Sequence, residues 1–321
     1  FLQHMLSKMK TQSMEGTRLA IVMNGSPLFT GDAGSGESEI RRWIMENDWL
    51  DTIIALPNQL FYNTGINTYI WILTNRKTPE RQGRIQLINA VDFYVKMRKS
   101  LGDKRNMISD EQIQRITKLY SDFKESSEVK IFHNTNFAYR KVTVDRPLRL
   151  NFQFSKERIE QLQATSAFQN LSKSKKKKDV KAILLEEKEG QRKQEAILKA
   201  FTNFDGSKLY KNRPDFEKDL KGITGSLDFK VESSLYKAIT NSLSIRDESA
   251  DSCLDKNDRP EADSELRDTE NVRLDEDIHE YFDREVRPHV PDAWINEKVT
   301  DHKDGKVGKV GYEINFTRYF Y

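Results

Sequence analysis

Leu19-Ala20-Ile21-Val22-Met23 is an unbroken apolar run closed by Asn24-Gly25-Ser26-Pro27, and Thr52-Ile53-Ile54-Ala55-Leu56 repeats the form before Pro57. Runs this short and this apolar have no solvent face, so both read as strands buried on two sides, as in a sheet with helices on each face. Between them, Glu37 to Asn47 sets Ile40, Trp43 and Ile44 on one face behind an N-cap at Ser35, which predicts a helix. Leu2, Met5, Leu6 and Met9 recur at helical spacing before Gly16, and Asn67 to Thr74 is rich in β-formers. The order helix, strand, helix, strand, loop, strand predicts half of an α/β layered domain, with further strands expected upstream. Arg84 to Ala90 reads as one more strand, and Asp110 to Phe123 as a helix with Ile113, Ile116, Leu119 and Tyr120 inward.

Beyond Pro147 the character changes. Glu157 to Phe168 and Val180 to Phe201 read as polar helices around Lys173-Ser174-Lys175-Lys176-Lys177-Lys178. Asp247 to Glu285 holds sixteen Asp or Glu against five Lys or Arg, and the chain ends aromatic, from Trp294 to Phe316-Thr317-Arg318-Tyr319-Phe320-Tyr321. With 36% hydrophobic and 32% charged residues, the chain is more polar than a compact domain of about 25% charge. Its 321 residues exceed one domain of roughly 100–200. Three segments are therefore expected: 1–150 as the α/β part, 151–205 as a polar, basic linker, and 206–321 as a helical and acidic region for subunit contact. The lone Cys253 forms no intrachain disulfide, no Cys/His cluster has zinc spacing, and a reducing cytoplasm fits. No apolar run approaches the roughly 18 residues of a membrane span, and a start at Phe1 reads as a fragment.

Several stretches carry a resemblance, in order along the chain. Phe1-Leu2-Gln3-His4-Met5 is similar to the helix just after an Asn-Pro-Pro-Phe motif. Arg18-Leu19-Ala20-Ile21-Val22 with Gly25-Ser26-Pro27-Leu28-Phe29, then Gly34-Ser35-Gly36-Glu37-Ser38-Glu39-Ile40-Arg41, resembles a fifth strand, its loop and the next helix. Ile54-Ala55-Leu56-Pro57-Asn58-Gln59-Leu60-Phe61 and Thr64-Gly65-Ile66-Asn67-Thr68 resemble the region of motif VIII. Leu266-Arg267-Asp268-Thr269-Glu270-Asn271-Val272, Pro288-His289-Val290-Pro291-Asp292-Ala293-Trp294 and Val310-Gly311-Tyr312-Glu313-Ile314 resemble a C-terminal signature. The family they share is the modification (M) subunit of type I restriction-modification systems, an adenine-N6 DNA methyltransferase. The resemblance implies the C-terminal half of a Rossmann-like class I methyltransferase sheet followed by a mainly helical extension. It also implies methyl transfer from S-adenosylmethionine to adenine N6, and assembly with a specificity (S) subunit that reads DNA and a restriction (R) subunit. Neither Asn-Pro-Pro-Phe nor Asn-Pro-Pro-Tyr occurs in the 321 residues, nor does the family's glycine-rich cofactor motif, so these residues alone are expected to be inert.

An enzyme acting on a base in a duplex flips it out and holds it against aromatic or apolar surfaces. By motif position, Phe61 resembles the aromatic residue that stacks on the flipped adenine; the competing role is a plug in the core under the loop. Tyr62, Asn63 and Thr64 complete that active-site loop. Two basic runs are candidates for phosphate contact: Lys96, Arg98, Lys99, Lys104 and Arg105, read as a DNA-facing loop, and Lys175, Lys176 and Lys177, read as DNA contact or solvated linker. Gly31 to Ser38 precedes a helix but lacks the lysine of a phosphate-cradling loop, and the five histidines have no metal spacing. The acidic block reads as solvated surface. The aromatic tail and the helices after Pro147 are the expected contact for the specificity subunit. A non-catalytic module binding DNA or that subunit is the alternative to the enzyme.

Overall fold

The computed structural model describes residues 1–10, 16–174 and 180–320, in two compact units. The first comprises Phe1–Val144, Asp268–Pro291 and Ile295–Tyr321, the second Asp145–Arg267 and Asp292–Trp294. This division cuts across the expected segments 1–150, 151–205 and 206–321. Lys175, Lys176 and Lys177 lie outside the described residues.

In the first unit the chain forms α1 (Leu2–Leu6), β1 (Arg18–Met23), α2 (Gly36–Glu46), β2 (Leu50–Ala55), β3 (Tyr69–Thr74), β4 (Arg84–Asn89), β5 (Val95–Leu101), β6 (Lys104–Met107), α3 (Asp110–Asp122), β7 (Val129–His133) and β8 (Ala138–Asp145). The main sheet runs β1-β3-β2-β4-β7. Because β3 is antiparallel to both β1 and β2, those two point the same way and need the crossover that α2 supplies. β2 is parallel to β4, and β7 closes the other side antiparallel. The α/β layering expected from the apolar runs is present, and β2 is buried along its whole length. β1 is not: its residues alternate exposed and half-buried, with Val22 48% exposed. Among the described residues it pairs only with β3, and an apolar run does not encode whether a second layer covers it. On α3, opened by a reciprocal Ser109–Gln112 capping box, Ile116 is buried but Ile113 is half exposed.

The end of the chain returns to this unit. The strand Lys309–Tyr312 pairs antiparallel with β8, and Asp268–Arg273 pairs with the other side of β8. Tyr312, Ile314 and Phe316 then enter the core that holds Leu28, Ile44, Leu50 and Trp71. The aromatic tail expected to meet another subunit is therefore largely core, because its rings have an apolar layer of their own chain to cover. Gly311 lies under the Tyr139 ring so closely that a Cβ there would stand 2.5 Å from a ring carbon. Two arginines of α2 tie this return down. Arg41 donates to the carbonyls of Tyr312 (2.5 Å), Thr30 (2.7 Å) and Pro27 (3.1 Å). Arg42 pairs with Asp301 at 2.8 and 3.0 Å, both side chains buried.

The second unit is mainly helical, with a three-stranded sheet in which Leu150–Gln153 lies between Leu209–Tyr210 and Ser244–Arg246. Phe152 stacks on Phe216 at 4.5 Å, and Phe154, Phe201 and Tyr210 complete a buried aromatic centre. The helix Val180–Thr202 packs through Gly190, where a Cβ would meet the Leu171 carbonyl at 1.9 Å. Among the described residues, 151–174 and 180–205 supply Phe152, Phe154, Leu162, Phe168, Ile197 and Phe201 to the buried cluster of this unit, although each helix is polar on average, because the stripe it buries is short. The acidic stretch is also less solvated than expected, since Asp263 is 2% exposed and accepts from Arg246 at 2.7 Å. Among the described residues no helix is long and apolar enough to cross a membrane.

Candidate functional site

The loop between β2 and β3 leaves the sheet at the end of a buried strand, and two apolar residues, Leu56 and Leu60, keep it seated. Leu60 packs on the cluster of Ile54, Leu56 and Ile88. The next residues face solvent: Phe61 is 38% exposed, Tyr62 63% and Ile66 55%. Phe61 pairs with Thr64 in an isolated bridge that tightens the tip around Asn63. Phe61 belongs to none of the buried clusters, so it has the exposure that a stacking surface needs and a core plug lacks.

The basic run at Lys96 to Arg105 is a β-hairpin, β5 and β6 turned at Gly102, where φ is +61°. Sequence reading took it for a loop; the Gly102-Asp103 pair between two β-capable stretches was the missed signal. Lys96, Arg98, Lys99 and Arg105 are exposed, and none of them pairs with a carboxylate among the described residues. Lys104 is half-buried because its ammonium sits over the Tyr62 ring, 5.6 Å from the centroid, a cation–π contact of the kind worth about 0.5–1 kcal/mol at exposed sites.

Loop and hairpin are fastened together through backbone groups. Asp103 N–H donates to Tyr62 O at 2.9 Å, and the N–H groups of Arg105 and Asn106 both donate to Gln59 O, at 3.0 and 3.1 Å. The Asn106 side chain, 3% exposed, donates from Nδ2 to the carbonyl of Asn58 at 3.0 Å and to its side-chain oxygen at 3.2 Å. Gln59 itself is held at φ +55°, a region that side chains with a Cβ rarely adopt. Two features read separately, an aromatic loop and a basic run, thus form one exposed surface of rings beside cations. Nucleic acid is the ligand chemistry that such a surface matches: ring faces for bases, ammonium and guanidinium groups for phosphates.

A cleft of 340 Å³ opens near the end of β1, lined by Met23, Asn24, Ile40, Trp71 and the α1 residues Phe1 to Gln3, with Arg41 and Glu37 at its wall. Its cation is committed. The Arg41 guanidinium is spent on carbonyls, and burial lowers its pKa more than the nearby Glu313 and Glu37 carboxylates raise it.

The sequence model of the family described as N-6 DNA Methylase matches residues 1–161. The chain is 36% identical over 108 residues to the type I restriction enzyme MjaVIII methylase subunit of Methanocaldococcus jannaschii, covering 34% of this chain and 18% of that protein. It is 36% identical over 90 residues to the type I restriction enzyme HindI methylase subunit of Haemophilus influenzae, covering 28% and 18%. The matched stretch thus spans about a fifth of these relatives' length. Among solved structures it is similar to the type I restriction-modification system methyltransferase subunit of Streptococcus thermophilus, with 26% identity over 36% of this chain and 23% of that chain. The TM-score of 0.32 leaves the fold to be argued from the topology above.

Proposed function

This chain belongs to the N-6 DNA methylase family, and from that premise we propose that it serves within an adenine-N6 DNA methyltransferase subunit of a type I restriction-modification system. The relatives named above are such methylase subunits. The observation that carries the reading is the joined aromatic loop and basic hairpin: Phe61 supplies the face for a flipped adenine, and Lys96, Arg98, Lys99, Lys104 and Arg105 take the phosphates beside it. Tyr62, Asn63 and Thr64 shape the loop tip. Phosphate contacts position a protein without reading sequence, so sequence choice falls to the specificity subunit, and cleavage to the restriction subunit.

S-adenosylmethionine, the methyl donor of this family, does not fit the residues on hand. The cleft beside β1 sets the Arg41 cation among apolar side chains and the neutral Gln3, Asn24, Ser26 and Thr30, facing a ligand whose sulfonium is itself positive, with Glu37 its lone carboxylate. In this reading the donor is held by other parts of the subunit. The 321-residue chain is accordingly expected to give no heat of binding on calorimetric titration with S-adenosylmethionine and no methylation of DNA. A stoichiometric micromolar isotherm would refute that assignment.

Phe61→Ala, placed in the full-length subunit, tests the base-stacking role. Stacking of a base on an aromatic side chain contributes about 1–3 kcal/mol, so methylation is expected to fall about tenfold or more with thermal stability nearly unchanged. A strongly lowered melting temperature with undiminished activity per folded molecule would return Phe61 to a packing role.

A further inference from the structure

We propose that the β5–β6 hairpin is the positioning element of the aromatic loop, with Asn106 as its positioning residue, so that phosphate contact and base contact are mechanically coupled. The inference rests on the base-stacking reading of Phe61 and goes beyond it by naming what holds that ring in place. Five hydrogen bonds run from three hairpin residues, Asp103, Arg105 and Asn106, to three loop residues, Asn58, Gln59 and Tyr62. They bracket Phe61 on both sides in sequence while leaving its ring free. Gln59 at φ +55° is a strained conformation, and such strain persists only where surrounding groups over-determine it. Here the two N–H groups of Arg105 and Asn106 converge on the Gln59 carbonyl and do that.

Asn106 differs from its neighbours on the hairpin. β5 is exposed or half-exposed throughout and β6 nearly so, yet Asn106 is 3% exposed and directs its amide into the loop rather than toward solvent. A buried amide is retained where its hydrogen bonds are specific, since leaving its partners unpaired is costly. The turn is fitted to the same task. Gly102 takes φ +61°, and a Cβ there would stand 2.6 Å from the Tyr62 carbonyl oxygen, so only glycine lets the turn lie against the loop. The exposed cations sit on the same hairpin. A DNA backbone that fixes the hairpin therefore fixes the loop, and with it the ring that receives the base.

The test uses the full-length subunit in its assembled methyltransferase, with Asn106→Ala and, separately, Gly102→Ala. The second variant changes an exposed turn and protects the test against a folding failure of the first. Three readouts are taken: amide exchange over 58–66 and 103–106, kcat and KM for DNA, and the fluorescence of 2-aminopurine at the target adenine, which rises when the base leaves the stack. The expected result is faster exchange in both stretches, weaker 2-aminopurine emission, and a fall in kcat of about tenfold or more, with KM for DNA within about twofold. Misplacing a positioned group by about 1 Å costs up to about 10²-fold in rate. Unchanged exchange in both variants would overturn the coupling, and so would accelerated exchange with kcat and 2-aminopurine signal unaltered. Failure of the base-stacking reading shows separately, as full methylation by Phe61→Ala, while the exchange data still decide whether the hairpin holds the loop.

Discussion

Asp301→Ala is expected to destabilise the first unit by about 3 kcal/mol, because it takes the acceptor from the buried Arg42 Nη1, leaving that cation only Glu46 at 2.6 Å and Glu39 at 3.6 Å, and unpairs three backbone N–H groups at once. The Asp301 carboxylate is 2% exposed and takes both hydrogen bonds of Arg42 Nη1, together with the N–H groups of Val310 (3.0 Å), Lys303 (3.0 Å) and Asp304 (3.2 Å). Burial on its own pushes the carboxyl pKa up, but the bonds from Arg42 and from those three N–H groups outweigh it and hold the pKa well below the usual range. A carboxyl depressed in this way contributes stability in full above its unfolded pKa of about 3.9, and the contribution drains away as pH falls toward the folded value. Wild-type stability should therefore decline on acidification below about pH 5, and the decline should be shallower in Asp301→Ala. Trp43, Trp49 and Trp71 all lie in the first unit, so urea unfolding followed by tryptophan fluorescence at pH 7 and pH 4 reads the effect. A loss below about 1 kcal/mol at pH 7, the worth of an exposed pair, would mean the bridge is screened after all.

Replacing Lys96, Arg98 and Lys99 together by Ala in the assembled methyltransferase is expected to weaken target and non-target DNA by similar factors. Each lost phosphate contact lowers the slope of log affinity against log salt by about 0.9, so three exposed cations change it by about 2.7 if each meets a phosphate. Binding isotherms between 50 and 200 mM salt, taken on both DNAs, measure slope and specificity at once. The matching replacement of Lys175, Lys176 and Lys177 should do less, as a run read first as a solvated linker. An unchanged slope for the hairpin variant, with normal assembly, removes this surface from DNA contact. A loss confined to target DNA would instead make these side chains readers of bases.

How much of this was legible in the sequence follows the range of the physics involved. Thr52 to Leu56 and Asn67 to Thr74 were readable as strands because burial of a central strand leaves its mark on most of its residues. Leu19 to Met23 carried the same mark, yet its residues alternate exposed and half-buried, since apolar composition records affinity for a covering layer and not its presence. The hairpin escaped notice because its strands face water and are rich in charge, so that the alternation of Val95 and Met97 with Lys96 and Arg98 is too short to stand out from a basic loop. Phe152 and Phe216 meet face to face from distant parts of the chain, a pairing that no local period announces. Phe61 and Tyr62 could be placed on a loop from Pro57 onward; their fastening through Asn106 is a contact between side chain and backbone across a turn, which sequence spacing does not reveal.

The way the last strand, Lys309–Tyr312, closes onto β8 sets a timetable for the nascent chain. β8 is synthesised just before Asp145–Arg267, yet its partners Asp268–Arg273 and Lys309–Tyr312 emerge only after that segment has been made. At roughly 5–20 residues per second this leaves the flank of β8 unpaired on the ribosome for on the order of ten seconds. The second unit has its own aromatic core and can condense meanwhile, drawing the two ends of its segment together and shortening the loop that β8 must later close. Its early collapse thus acts as a splint for the late strands, and variants that slow it, such as a side chain at Gly190, should leave an open sheet edge on which ribosome-bound chains aggregate.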